Sequence, residues 1–137
     1  MIIAENFNAI STLKKGRPPR LPFLDFKNLV LGKNYQLSLV ICGGKLSKKI
    51  NREYRGKDAP ANVLAFSLSP KIGEIYLNPQ QARRDAPLFD QRAIPFTMRL
   101  FIHALLHLKG YEHGDTMEKR ENNLMQRYLE AQTIIRR

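Results

Sequence analysis

The run Ile94-Pro-Phe-Thr-Met-Arg-Leu-Phe-Ile-His103-Ala-Leu-Leu-His107-Leu-Lys109 constrains this chain more than any other stretch. Pro95 suits the opening turn of a helix, and Ile94, Phe96, Met98, Leu100, Phe101, Ile102, Leu105, Leu106 and Leu108 leave that helix almost no polar face. Such a helix belongs in the middle of a core, and the rest of the fold must cover it.

All three histidines of the chain fall in or just beyond this run, at His103, His107 and His113. Positions four apart lie one helical turn apart on the same face, about 6 Å along the axis. Gly110 permits the left-handed conformation that ends a helix, after which the chain can turn back and bring His113 to the same point. A pair of core histidines satisfied by neighbours is the plain reading of any one of them. The spacing His-x3-His-x5-His, with a glycine between the last two, favours a metal tripod instead. Three neutral imidazoles suit zinc among the available ions, with nickel or copper as in-vitro substitutes. One zinc ion on three His ligands leaves a position for water, the mark of a catalytic site. The same spacing occurs in metzincin proteases, where a glutamate after the first histidine is the general base. Here that place holds Ala104, which cannot take a proton.

The 137 residues suffice for one ordinary core, so residues 1–137 are read as a single domain. The formal charge of +11 points to a polyanionic partner, with nucleic acid first. No apolar run approaches the roughly 18 residues of a membrane span, and the N-terminus lacks the pattern of a secretory signal. A cytoplasmic location with no membrane contact is the expectation. The lone Cys42, within an apolar strand-like run, reads as a buried, inert thiol.

In chain order, residues 1 to 7 read as one short strand and Ser11 to Arg20 as a solvated basic loop carrying Lys14, Lys15, Arg17 and Arg20. Pro22 to Leu31 is a helix with Phe23, Phe26, Val30 and Leu31 inward, ended by Gly32, and Tyr35 to Cys42 is a strand. Lys45 to Tyr54 returns to helical spacing, with Leu46, Ile50 and Tyr54 apolar. Its opposite face carries the stripe Lys45, Lys48, Lys49 and Arg52. A solvated face explains such a stripe; the charge of the chain favours contact with RNA phosphates. Asn62 to Leu68 and Glu74 to Leu77 form a hairpin, and residues 79 to 93 a short helix and a loop. Asp115 is expected to cap a final helix, with Glu118 as the return partner and Met117, Leu124, Met125, Tyr128, Leu129 and Ile135 at helical spacing.

The stretch His103-Ala104-Leu-Leu-His107-Leu-Lys-Gly110-Tyr111-Glu112-His113 resembles the signature His-Gly-x-Leu-His-Leu-x-Gly-Tyr-Asp-His of the YbeY family of rRNA maturation factors, zinc-dependent bacterial endoribonucleases. Ile50-Asn51-Arg-Glu-Tyr54-Arg55-Gly-Lys-Asp58-Ala-Pro60-Ala61-Asn62-Val63-Leu64-Ala65-Phe66 is similar to a second family segment, and Gly73-Glu74-Ile75-Tyr-Leu77 to a third. Three departures stand out: Ala104 for Gly, Ala61-Asn62 for Thr-Asp, and Glu112 for Asp. The resemblance implies an α+β fold, a small mixed four-stranded sheet packed with about five helices around the metal-binding helix. It also implies zinc ligation by His103, His107 and His113 and a catalytic place for Arg55, whose guanidinium can hold a phosphate and stabilise charge developing on it.

The function implied is a zinc-dependent, single-strand-specific endoribonuclease that matures the 3′ end of the small-subunit rRNA and serves ribosome quality control. Lys45, Lys48, Lys49, Arg52 and Arg55 would contact RNA. The partners would be single-stranded rRNA, ribosomal particles, and ribosomal or GTPase assembly proteins. Two rivals are a zincin-like metallopeptidase, which Ala104 opposes, and a zinc-stabilised rRNA-binding or ribosome-binding protein without catalysis.

Overall fold

The computed structural model describes residues 2–135, with side chains as far as residue 133; the expectation for the Ile135 side chain lies outside what is described. The chain folds as β1 (Ile2–Ala4), β2 (Phe7–Ser11), α1 (Phe23–Leu31), β3 (Gln36–Ile41), α2 (Gly44–Arg55), β4 (Val63–Ser69), β5 (Ile72–Leu77), α3 (Pro79–Asp85), a 3-10 turn (Ala86–Phe89), α4 (Ala93–Lys109) and α5 (Asp115–Ile135).

The sheet has five strands in the order β1-β2-β3-β5-β4, where four were expected. The additional strand comes from the N-terminal segment: Asn6 takes a positive φ of 62°, so residues 2 to 7 do not run straight but turn into a hairpin, with Ala4 opposite Phe7. Asparagine tolerates that conformation, and the Asn6 side chain fixes the turn by donating to the Lys33 carbonyl at 3.0 Å. β2, β3 and β5 run parallel, and β1 and β4 close the edges antiparallel. The architecture is α+β, as expected.

α4 lies under this sheet. Met98, Phe101, Ile102, Leu105 and Leu106 are fully enclosed with Leu39, Ile41, Ile75 and Leu77 from the strands above. Phe101 meets Phe23 of α1 edge to face, with centroids 4.8 Å apart. Only glycine fits at 73 in β5, because a Cβ there would collide with the Tyr35 hydroxyl and press on Leu108. α4 begins at Ala93, two residues before Pro95, which still lies in the first turn where its missing N–H costs nothing. Ile94 is exposed at that end.

Two helix expectations need correction. In α2 the buried residues are Ser47 and Asn51, while Leu46 and Ile50 are half-buried and Tyr54 is 68% exposed. Polar side chains face inward because they clamp the loop before β4. Ser47 Oγ donates to the Ala61 carbonyl at 2.6 Å and accepts the Ala61 N–H at 2.8 Å, and the Asn51 amide donates to the Ala59 carbonyl at 2.8 Å. At the start of α5 the Glu118 N–H donates to the Gly114 carbonyl at 3.0 Å, so Gly114 holds the cap position and Asp115 lies in the first turn, where its charge suits the helix dipole. Cys42 is buried as expected. Among the described residues no helix is long and apolar enough to cross a membrane.

Candidate metal centre

The end of α4 delivers the histidines. Gly110 has φ 109°, and the backbone N–H groups of Gly110 and Tyr111 close on the carbonyls of His107 (3.1 Å) and Leu106 (3.0 Å). This is the helix-ending turn the glycine permits. It sends the chain back so that the His113 ring lies 5.2 Å from that of His103 and 6.1 Å from that of His107, centroid to centroid. Two imidazoles on one zinc, with Zn–N near 2.0 Å and tetrahedral angles, have centroids about 5 Å apart. Among the described residues no group of three His, Cys, Asp or Glu side chains already forms a metal-holding cage. What converges is therefore the ring centres and not a closed coordination shell. The histidines are also less enclosed than an all-apolar helix implies: His103 is half-buried, and His107 and His113 are exposed at the helix end.

The donor chemistry fits a borderline metal such as zinc. His103 Nδ1 lies 2.7 Å from Oε1 of Glu121 on α5. A carboxylate accepts, so Nδ1 carries the hydrogen and Nε2 is the nitrogen left for a metal, the arrangement by which outer carboxylates orient metal-binding histidines. Arg99 holds the other oxygen of Glu121 at 2.8 Å and reaches Asn122 at 3.0 Å. Burial pushes the Glu121 pKa up, but the hydrogen bonds from His103 and Arg99, with their charges, outweigh it and leave the carboxyl below its ordinary value. Partial desolvation lowers the pKa of His107, and electrostatic repulsion of its charged form by His113, His103 and Arg55 lowers it further. A neutral imidazole is the form a metal binds.

Arg55 is the last residue of α2, ahead of Gly56 in the left-handed conformation. It lines a pocket of about 430 Å³ together with His103, His107, His113, Asn62, Ala104 and the start of β4. Ala104 is 2% exposed within this pocket, so the place of the protease glutamate offers only a methyl group.

The structure puts none of the four stripe residues in the lining of this pocket. Lys45, Lys48, Lys49 and Arg52 line a separate groove of about 830 Å³, with Lys14 and Lys15 of the β2–α1 loop and Gly43-Gly44 at the positive end of α2; the two cavities share no lining residue. Lys48 and Arg52 approach Asp58 loosely, at 3.9 and 3.7 Å in solvent. Sequence reasoning missed Glu121, which no local spacing connects to His103 eighteen positions away. It also missed Asp85, whose carboxylate accepts from the Asn62 amide at 2.9 Å across twenty-three positions.

The profile of the Endoribonuclease YbeY family matches residues 23–133. The chain belongs to this family. Among curated relatives named Endoribonuclease YbeY, one from Neorickettsia sennetsu is 29% identical over 107 residues, which cover 70% of this chain and 75% of the relative. One from Nitrosomonas eutropha is 32% identical over 103 residues, covering 73% of each. The solution structure of TM1509 from Thermotoga maritima superposes with a TM-score of 0.65 at 21% identity, over 88% of this chain and 87% of that one, a likeness of fold. The YbeY family is one of endoribonucleases, hydrolytic enzymes, and the three histidines and Arg55 fall inside the matched range.

Proposed function

We propose that this protein is a zinc-dependent endoribonuclease that cuts single-stranded regions of rRNA, acting in the cytoplasm on ribosomal particles. In this reading it matures the 3′ end of the small-subunit rRNA and takes part in ribosome quality control. Ribosomal or GTPase assembly proteins would be its protein partners. The observation that carries the reading is the meeting of three imidazoles and one guanidinium in a single pocket of a YbeY-family chain.

His103, His107 and His113 would hold the ion, and a bound zinc supplies a water whose pKa falls to about 7. Glu121 keeps His103 in the tautomer with a free Nε2. Arg55 is the phosphate clamp: its planar fork matches two phosphate oxygens and stays in place as charge builds on them. Its positive charge also helps keep His107 neutral. The methyl group of Ala104 leaves the pocket without the glutamate on which peptide hydrolysis by this spacing depends, which disfavours a peptidase. The Lys45, Lys48, Lys49 and Arg52 groove, apart from the cleavage pocket and without an aromatic side chain in its lining, suits sequence-independent contact with the phosphate backbone.

The test is cleavage of a single-stranded rRNA fragment by the zinc-loaded chain and by Arg55→Ala. Loss of about 100-fold or more in rate with zinc content unchanged supports the assignment, on the scale of deleting one transition-state donor. Unchanged cleavage contradicts it.

A further inference from the structure

Asn62 stands at the mouth of β4 and lines the same pocket as Arg55 and the three histidines, yet the reading above gives it no part. It is held at two points, one at each end of α3. The backbone N–H of Asn78 donates to the Asn62 carbonyl at 2.9 Å, and the Asn62 side-chain nitrogen donates to Asp85 Oδ2 at 2.9 Å. Asp85 is itself fixed, because its other oxygen accepts from Gln81 Nε2 at 3.0 Å. Asn78 is buried and caps α3 through the Gln81 N–H at 3.2 Å, which anchors the whole arrangement.

A carboxylate can only accept, so the amide must turn its NH₂ to Asp85. The amide oxygen, on the other arm of the same planar group, is then left over. Among the described residues it meets no protein donor, and it is not one of the polar atoms sealed from solvent. Asn62 thus brings a fixed hydrogen-bond acceptor to the wall of the pocket that Arg55 also lines. An aspartate at this position would instead set two carboxylates against each other at about the same separation, which one of them would have to relieve by protonation.

On the proposed reading that the pocket takes an RNA strand, we infer that Asn62 Oδ1 accepts the 2′-hydroxyl of the ribose next to the cleaved phosphate, and that Asp85 is the positioning residue that aims it. A phosphodiester presents acceptors only, which suit the Arg55 guanidinium and a cation held by the histidines; the 2′-hydroxyl is the donor that RNA adds to the backbone and DNA lacks. Beyond Asn62 the wall continues as Val63, Leu64, Ala65 and Phe66, which meet a base by its face and leave its edges unread. Asn62 therefore selects ribose over deoxyribose.

The experiment uses the zinc-loaded full chain under single-turnover conditions. An oligoribonucleotide whose cleavage position has been mapped is compared with the same oligonucleotide carrying one 2′-deoxy nucleotide at that position. The native chain should cut the ribose form about 5- to 100-fold faster, the range of one well-placed hydrogen bond. Asn62→Ala should bring that ratio towards one, and Asp85→Ala should lower it with bound zinc unchanged. A native ratio near one, or a ratio that survives Asn62→Ala in a folded variant, overturns the inference. So does a relaxation of base preference in Asn62→Ala with the ribose ratio intact. Should Asn62→Ala fail to fold, the native ratio and that of Asn62→Ser at the same position decide the matter. If the native chain cuts no RNA, the endoribonuclease reading fails separately. Anisotropy binding of matched ribo- and deoxyribo-oligonucleotides then reads the inference: a ribose preference lost in Asn62→Ala supports it, and equal binding of both overturns it.

Discussion

His103 Nδ1 and Glu121 Oε1 lie 2.7 Å apart, joining α4, the helix of the candidate metal site, to α5. The contact fixes a tautomer as well as a ring orientation, so its loss should be felt at the metal. Glu121→Ala is expected to weaken zinc binding by about 10- to 100-fold, the usual cost of deleting an outer-shell partner. Competition with a chromophoric chelator measures it, and an unchanged affinity would make the contact merely structural.

The groove of Lys45, Lys48 and Lys49 makes a quantitative claim about salt. Each phosphate neutralised on a single strand contributes about 0.7 to the slope of log affinity against log salt, so replacing the three lysines by alanine should flatten that slope by about 2. Titration of a labelled single-stranded RNA over a series of salt concentrations checks it. A parallel drop at all salts, with the slope unchanged, would mean the lysines act on the fold.

Ser47 is 1% exposed and satisfies both backbone groups of Ala61. Ser47→Ala leaves an N–H and a carbonyl without their partner and should cost about 1 to 3 kcal/mol. In urea the unfolding midpoint should fall with an unchanged slope against denaturant. Because Ala61 directly precedes Asn62, cleavage should fall too.

Burial raises the Cys42 thiol from an ordinary 9.0 to about 11. The fold thus favours the protonated form. The stability this confers is complete below the unfolded value, declines as pH rises past 9.0, and is gone above about 11. Iodoacetamide at pH 8 to 9 should label Cys42 about as slowly as the chain unfolds, and fast labelling of the native protein would show an accessible thiolate.

What the sequence made legible and what it hid divide along physical lines. α4 was readable because an all-round apolar helix has one place to go, and the histidine reversal because Gly110 supplies its φ of 109°. The N-terminal hairpin was hidden by a single left-handed residue, Asn6, in the middle of what looked like one strand. The inward face of α2 was misread because Ser47 and Asn51 are drawn in by hydrogen bonds to a loop, while Tyr54 covers Phe66 from outside with ring centres 5.3 Å apart. Glu121 and Asp85 were invisible for a different reason: each meets a pocket residue, His103 or Asn62, only because α5 or α3 packs on α4, and no periodicity records that.

The central claim is that one metal ion on His103, His107 and His113 does the chemistry on RNA. The most direct test is zinc content and ribonuclease activity measured on the same purified samples of the native chain and of His113→Ala. The account predicts close to one zinc per native chain and joint loss of zinc and cleavage in the variant, with the fold retained by circular dichroism. Cleavage that persists without the metal, or zinc that remains bound while the native chain cuts no RNA, would contradict it.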